Sequence, residues 1–478
     1  MEAHRHTEPA TGNSAGLAER IALDWARRIE ERLLLPGSRL PSVREGARQL
    51  QVSPSTVVAA YDRLQAQGLV EARHKRGFFV RERRPALPGT VARNAPRSTL
   101  PPPFDTFTLM RSLMDSREGV GPAHGTLPTH WFDPALLRQA WRQVLATGPD
   151  QDALLLRYGL PEGDPELRER LAERLHDLGV AAGPAQVLTT VGATHALDLV
   201  AHTLAQPGDA VLVDEPGWPV EYARLTQAGL RLLPVPRGPE GPDLNRLAQL
   251  VLQHQPKLYV TVSVLHNPTG HSFNLQQAHE ILRLTEASGC LIVEDDTYAP
   301  FAPPHQPRLS ALDGLRRSVY VGGFSKLIGA GLRVGYLAGP LALVEKLAQR
   351  KLVQQLSSSP LNERALAHLL ARGGLRRHAE RVNEQLGLAR SRCQKLAEQA
   401  GCLFSVPPAG LFGWVHTGVD SDLLAQALAA QGLRIAPERL FSPVRRGGPH
   451  MRVNFAASAD ARFWRAVEAA RKGLPPWE

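Results

Sequence analysis

The run GGFSKLIGAGLRVG, residues 322–335, decides how this chain reads. It follows an apolar stretch at 318–322 with the look of a buried strand, and it holds Lys326 with no second lysine. Only seven of the 56 Lys and Arg residues are lysines, and arginine cannot form a Schiff base. Lys326 is flanked by small residues, and Arg333 stands seven positions later. That pair suits a cofactor carrying both an aldehyde and a phosphate, because an amine captures the first and a guanidinium grips the second. The glycines match neither GxGxxG nor a Walker loop, so they do not argue for a dinucleotide.

Outward from this run, helices alternate with apolar strands expected at 186–190, 210–213, 257–262, 290–294 and 318–322. Such alternation predicts an α/β domain with a mainly parallel sheet, whose ligands gather at the C-terminal strand ends. The polar motifs fall there. VEDDTY (293–298) brings Asp295 and Tyr298, and HNPTG (266–270) brings Asn267. Pyridoxal 5′-phosphate (PLP) needs an anion beside its ring nitrogen and donors beside its phenolic oxygen, and these three residues supply them. VGATHALDL (191–199) ends a strand and opens a helix, so Ala193 and Thr194 turn a positive helix end toward phosphate. Trp218, in DEPGW (214–218), is placed to stack on a ring. Beyond about residue 345 come further helices and short strands at 412–416 and 451–455, a smaller α+β lobe.

This set, over residues 120–470, resembles the fold-type I aminotransferases. The resemblance implies Lys326 as the Schiff-base lysine, Asp295 as the ring-nitrogen partner, and Asn267 and Tyr298 as phenolate partners. It implies a phosphate cup of Ala193, Thr194, Ser325 and Arg333. Tyr158, in YGLPEG (158–163), matches a tyrosine that reaches phosphate from a second subunit, which implies a head-to-tail homodimer. Arg452, in MRVNF, matches the arginine that clamps the α-carboxylate of an amino-acid-like ligand. Gly323 departs from the family, which has Ser or Thr three residues before the lysine, so one phosphate hydroxyl is missing.

The N-terminal part reads differently. Residues 17–84 carry 14 Lys and Arg against 8 Asp and Glu, out of a net +10 for the 478-residue chain. A positive end on a near-neutral body points to a polyanion. Leu17, Ile21, Trp25, Ile29 and Leu33 predict a helix over 17–34. A second opens at the Ser42 cap and tolerates Gly46, and a third opens at Ser53 and Pro54 and stops near Gly68. Strands at 69–72 and 77–80 flank the basic tip Arg73, His74, Lys75 and Arg76, a wing. LLPGSRLPSVR (34–44), VSPSTV (52–57), AYDRL (60–64) and GFFV (77–80) resemble the GntR winged helix-turn-helix. That resemblance implies double-stranded DNA as partner, with Ser53, Ser55 and Thr56 at the major groove and Arg44 and the wing on phosphates or the minor groove. Gly46 and Pro54 depart from the family's usual residues.

A GntR-like head at 17–84, a proline-rich linker at 85–103 and an aminotransferase-like body at 104–478 together resemble the MocR regulators. The large part of the body is expected at about 120–344 and the small lobe at about 345–478. The resemblance implies a regulator whose body senses PLP or an amino compound. An aminotransferase with an accessory head stays open as the alternative, because Lys326, Asp295 and Tyr298 serve a catalyst as well as a sensor. Cys290, Cys393 and Cys402 form no CxxC, so no disulfide framework, cysteine-based zinc site or other metal is expected. No stretch approaches the roughly 18 apolar residues of a membrane span, and the start MEAHRHTEPATGNSAG lacks a signal-peptide core, so a cytoplasmic protein is expected.

Overall fold

The computed structural model of the chain describes residues 13–31, 33–73, 76–81, 111, 120–303 and 305–477. The expected linker at 85–103 and the wing-tip residues His74 and Lys75 lie outside them. Contacts divide the chain into two units, residues 1–100 and 101–478.

In the first unit, three helices, α1 (Asn13–Glu30), α2 (Val43–Leu50) and α3 (Pro54–Ala66), precede a hairpin of β1 (Val70–Arg73) and β2 (Gly77–Val80). Ser42 and Ser53 cap α2 and α3 through Glu45 N and Thr56 N, as their positions predict. The expected helix at 17–34 is displaced. It runs four residues earlier, and its buried stripe is Ala18, Ala22, Trp25 and Ala26, while Leu17 and Leu33 are exposed. Small residues win because α1 packs closely on α3, with Trp25 stacked on Tyr61 at 4.8 Å between ring centroids. An aromatic pair of this kind contributes about 0.5–1.5 kcal/mol beyond its buried area. Gly46 belongs to the same contact: a Cβ there would sit 3.4 Å from Val57 and 3.8 Å from Trp25. A Cβ would meet only ordinary contacts there, so the packing does not require a glycine and its cost in helix propensity stands.

The second unit is built on an eight-stranded sheet. Its strands are β3 (Val187–Thr190), β4 (Ala210–Glu215), β5 (Arg231–Gly238), β6 (Gly241–Pro242), β7 (Leu258–Thr261), β8 (Leu291–Asp295), β9 (Ser318–Gly323) and β10 (Gly335–Ala338). The order is β3-β10-β9-β8-β7-β4-β5-β6. The central run from β9 to β5 is parallel, whereas β10 is antiparallel to both neighbours and β6 to β5. β10 escaped the sequence reading because it abuts the glycine-rich run, and β5 because Pro234 and Pro236 interrupt its apolar pattern. Gly335 opens it against the loop after β3: a Cβ there would lie 2.4 Å from the carbonyl carbon of Gly192. That approach brings the lysine-bearing turn beside the helix Ala193–Leu204.

The smaller sheet, β11 (Leu403–Phe404), β12 (Phe412–His416), β13 (Ala436–Pro437) and β14 (His450–Asn454), is antiparallel in the order β11-β12-β14-β13. Residue 345 is not a packing boundary. Val344, Leu347 and Ala348 join the core beneath helix Ala193–Leu204, and Ala365, Leu366 and Leu369 pack with Leu167 and Leu171. The lobe's own core begins with the helix Gly374–Gln399 and also takes in Val264, Leu265 and Tyr298. Burial pushes the thiols of Cys290 and Cys393 up to about 12 and of Cys402 to about 11, so these cysteines pack as inert apolar residues.

Candidate functional site

The C-terminal ends of β8, β9 and β10's neighbours converge as Brändén's rule requires. Asp295 closes β8, and its Oδ1 accepts from the Thr297 N–H at 3.0 Å and from the Thr297 hydroxyl. Oδ2 accepts no hydrogen bond among the described residues. Burial raises the Asp295 carboxyl, and the Thr297 hydrogen bonds, Arg224 and Lys326 oppose the shift. Lys326 sits in the turn after β9, and its Nζ donates to the Gly125 carbonyl at 2.6 Å. Burial first, then Arg452 and Arg333, lower its amine to about 8, with Asp295 pulling the other way. One amine thus feels all three charged groups that the sequence reading had assigned to one site.

Asn267 donates from Nδ2 to the Tyr298 hydroxyl at 3.2 Å and accepts at Oδ1 from Arg452 Nη1 at 3.1 Å. Arg452, on β14 of the small sheet, also donates from Nη2 to the Ala123 carbonyl at 2.5 Å. Its guanidinium carbon lies 4.5 Å from the Phe412 ring centroid and 5.2 Å from that of Phe441, and its Nε has no partner among the described residues. Burial lowers this guanidinium to about 10. An arginine buried between two rings, with hydrogen-bonding capacity to spare, is a ready partner for a carboxylate.

On the opposite side, Gly192 (φ +80°) turns the chain from β3 into the helix Ala193–Leu204. Arg333 donates to the Val191 carbonyl at 3.1 Å, and a Cβ on Gly192 would lie 2.7 Å from Arg333 Nη2. Ala193, Thr194 and Arg333 therefore form one positive corner, with Ser325 partly buried in the turn before Lys326. A Cβ on Gly323 would lie 3.6 Å from the Ala193 Cβ and 3.7 Å from its nitrogen, so this corner has room for a side chain that the sequence omits. Trp218 caps the helix Pro219–Gln227 and lines a small cavity with Asp295, Thr261 and Val260. Amine, carboxylate, amide with phenol, and a guanidinium at a helix start match the functional groups of PLP in kind. Tyr158 stands apart: it is 83% exposed, after the helix Pro149–Leu156.

Two groups of residues escaped the sequence reading. Arg224 and Glu221 form a buried pair beneath Asp295, and Arg224 Nη1 donates to the Thr194 carbonyl at 2.8 Å, tying the phosphate-side helix to the carboxylate side. Asn454, two residues past Arg452, bonds the segment at 122–126. The period of two along β14 puts Asn454 on Arg452's face and could have flagged it.

In the head, Arg44, Ser53, Ser55, Arg73 and Arg76 are exposed. Ser53 Oγ lies 2.8 Å from Ser55 Oγ and 2.7 Å from Thr56 Oγ1. Thr56 is buried, so its hydroxyl serves the cap, and it differs in this from the expected groove-facing residue. Arg73 pairs with Glu71 at 2.8 Å and lies over Phe79, which holds it along the wing.

The chain matches the aminotransferase class I and II family over residues 137–469 and the bacterial regulatory proteins of the gntR family over residues 17–80. The HTH-type transcriptional regulator TauR of Rhodobacter capsulatus is 31% identical, over 97% of this chain and 98% of that one. The chain belongs to the MocR-type regulators. This MocR-type chain is also 29% identical to a 2-aminoadipate transaminase of Thermus thermophilus, over 67% of its length and 79% of the transaminase. Its body superposes on the crystal structure of LysN, the α-aminoadipate aminotransferase of Thermus thermophilus, complexed with N-(5′-phosphopyridoxyl)-L-leucine. The TM-score is 0.70, with 26% identity and 77% and 95% of the two chains covered. No helix among the described residues is long and apolar enough to cross a membrane, and no cluster of metal ligands occurs among them.

Proposed function

We propose that this MocR-type regulator binds PLP in the body, senses a carboxylate-bearing amino compound there, and changes how its winged head meets double-stranded DNA. The observation that carries this reading is the convergence of Lys326, Asp295, Asn267, Tyr298 and Arg452 at one sheet end, in a chain that begins with a GntR head. When bound, PLP supplies an aldehyde and an electron-withdrawing ring. Lys326, with its amine lowered to about 8, offers a neutral nucleophile near physiological pH. The unpaired oxygen of Asp295 holds a proton on the ring nitrogen, and Asn267 and Tyr298 hold the phenolic oxygen. Ala193, Thr194, Ser325 and Arg333 take the phosphate, Trp218 covers the ring, and Arg452 takes the ligand's carboxylate.

Tyr158, exposed beside Leu156 and Leu160, completes the phosphate site of a second copy in a head-to-tail homodimer. In the head, Ser53 and Ser55 at the start of α3 approach the major groove, held by Thr56. Arg44, Arg73, His74, Lys75 and Arg76 reach phosphates or the minor groove. The protein works in the cytoplasm, beside the chromosome. A working aminotransferase is the second reading, favoured by the complete lysine, carboxylate and arginine set.

Absorbance of the purified protein, followed while amino acids and then 2-oxo acids are added, separates the two. Spectral change without turnover is expected for the sensor, and a full two-step cycle would make it an enzyme. A wild-type protein that never develops the visible PLP band would refute both.

A further inference from the structure

Five consecutive backbone carbonyls, those of residues 122–126, accept hydrogen bonds from three residues of the site. The Pro122 carbonyl takes the Asn454 N–H at 3.1 Å, and the Ala123 carbonyl takes Arg452 Nη2 at 2.5 Å. Asn454 Nδ2 donates to the His124 carbonyl at 3.0 Å and to the Thr126 carbonyl at 2.7 Å, and between these two Lys326 Nζ donates to Gly125 at 2.6 Å. The segment is pinned at both sides by buried side chains: Ala123 packs with Trp414 and Phe441, and Leu127 joins the small-lobe core. Lys326 in the turn after β9 and Arg452 and Asn454 on β14 thus read one turn-and-bend stretch of backbone. Two of those donors are the groups that a cofactor and a carboxylate ligand engage.

We propose that residues 121–126 are a strap that reports occupancy of the site, and that Asn454 is the positioning residue that keeps it in register. The proposal rests on the reading of Lys326 and Arg452 given above. An amine committed to the cofactor no longer donates to Gly125, and a carboxylate draws the Arg452 guanidinium away from Ala123. Charged donors make the stronger hydrogen bonds, so either event costs the strap one of its two tightest holds while the neutral ones from Asn454 remain. Ligand acts through this difference in contacts between the two states.

Hydrogen exchange on the full-length protein tests this with two probes, PLP and N-(5′-phosphopyridoxyl)-L-leucine. Two amides report directly, that of His124, which donates to Gly121 O at 3.0 Å, and that of Asn454, which donates to Pro122 O. In wild type, exchange at both should be slowest in the PLP-free form and about tenfold faster with either probe: PLP takes the Lys326 amine from Gly125, whereas the adduct, whose C4′ carbon is already bonded to leucine, leaves that amine free and takes Arg452 from Ala123. In Asn454→Ala the His124 amide should exchange fast in all three forms, with the visible absorbance of bound PLP retained. Asn454→Asp removes the Nδ2 donor without leaving a cavity and should behave in the same way. Wild-type protein that takes up both probes and keeps its protection overturns the strap alone, as does protection of His124 that persists in both variants. Wild-type protein that takes up neither probe overturns the cofactor reading, and the proposal with it.

Discussion

Two lysines of the body, half-buried Lys326 and buried Lys351, invite comparison because both amines are lowered to about 8, chiefly by desolvation. Their surroundings differ. Lys351 Nζ donates to Thr189 Oγ1 at 3.3 Å, and the Thr189 hydroxyl donates to Glu363, whose other oxygen accepts from the Asp164 N–H at 2.7 Å. Asp164 in turn pairs with Arg364 at 2.6 Å. Lys351 is one member of a closed polar network that joins β3, the loop after Tyr158 and the helix Pro360–Ala371. Among the described residues Lys326 Nζ hydrogen-bonds to a backbone carbonyl alone, with Arg452 and Arg333 lowering its amine and Asp295 raising it. A depressed lysine pKa therefore does not identify a cofactor lysine by itself. What distinguishes the two is the hydrogen-bond partner: Lys351 donates to a hydroxyl already committed to Glu363, whereas Lys326 donates to a backbone carbonyl.

The largest effect expected from this contrast is at Lys326. Lys326→Ala should abolish the visible PLP band that hydroxylamine releases, whereas Lys351→Met should retain it. A retained band in the first variant would make Lys351 or another amine the attachment point. Stability should show the reverse order. Lys351→Met leaves Glu363 buried without its countercharge and should cost about 3 kcal/mol in denaturant melts of PLP-free protein, with Glu363→Gln restoring part of the loss in the double variant. Lys326→Ala should cost less there, since the cation it removes is opposed by Arg452 and Arg333 as well as drawn by Asp295.

Next in size is the pH dependence of cofactor capture. The neutral amine is the nucleophile, and with its pKa lowered to about 8 its fraction rises about tenfold per pH unit below 8 and levels off above it. The rate of PLP incorporation should follow that curve. A rise that continues to pH 10 would show an amine that the fold has not perturbed. In the head, Arg44→Ala should weaken DNA binding alike for all sequences and lower the log–log salt slope by about one. Ser55→Ala should instead change preference among sequences. The smallest effect is a gain: Gly323→Ser places a hydroxyl where a Cβ has only ordinary contacts, and it should tighten PLP binding about two- to tenfold by equilibrium titration, the worth of one hydrogen bond.

The head and the body differ in how much of each could be read from the chain. α2 and α3 are punctuated locally by Ser42, Ser53, Pro54 and Gly68, so their starts were readable to the residue. α1 lacked such marks, and its leucine spacing misled, because close packing against Tyr61 selects the alanines instead. In the body the strands that carry the motifs were legible as short apolar runs, and Lys326, Asp295, Asn267, Tyr298 and Arg452 do fall together. β10, which abuts the glycine-rich run, and β5, interrupted by Pro234 and Pro236, were missed, and so was the shared core that erases a lobe boundary at residue 345.

By itself the sequence determined the two-part organisation, the parallel sheet and the residue types of the site, since each rests on a local pattern of period, cap or motif. Which of those residues touch was decided only by the tertiary structure. Arg452 reaches Asn267 across 185 positions, and Lys326 reaches Gly125 across 201. No local propensity encodes such pairings. They arise because the sheet ends and the small lobe bury the same pocket, where a charged side chain must find a partner or bear the cost of desolvation.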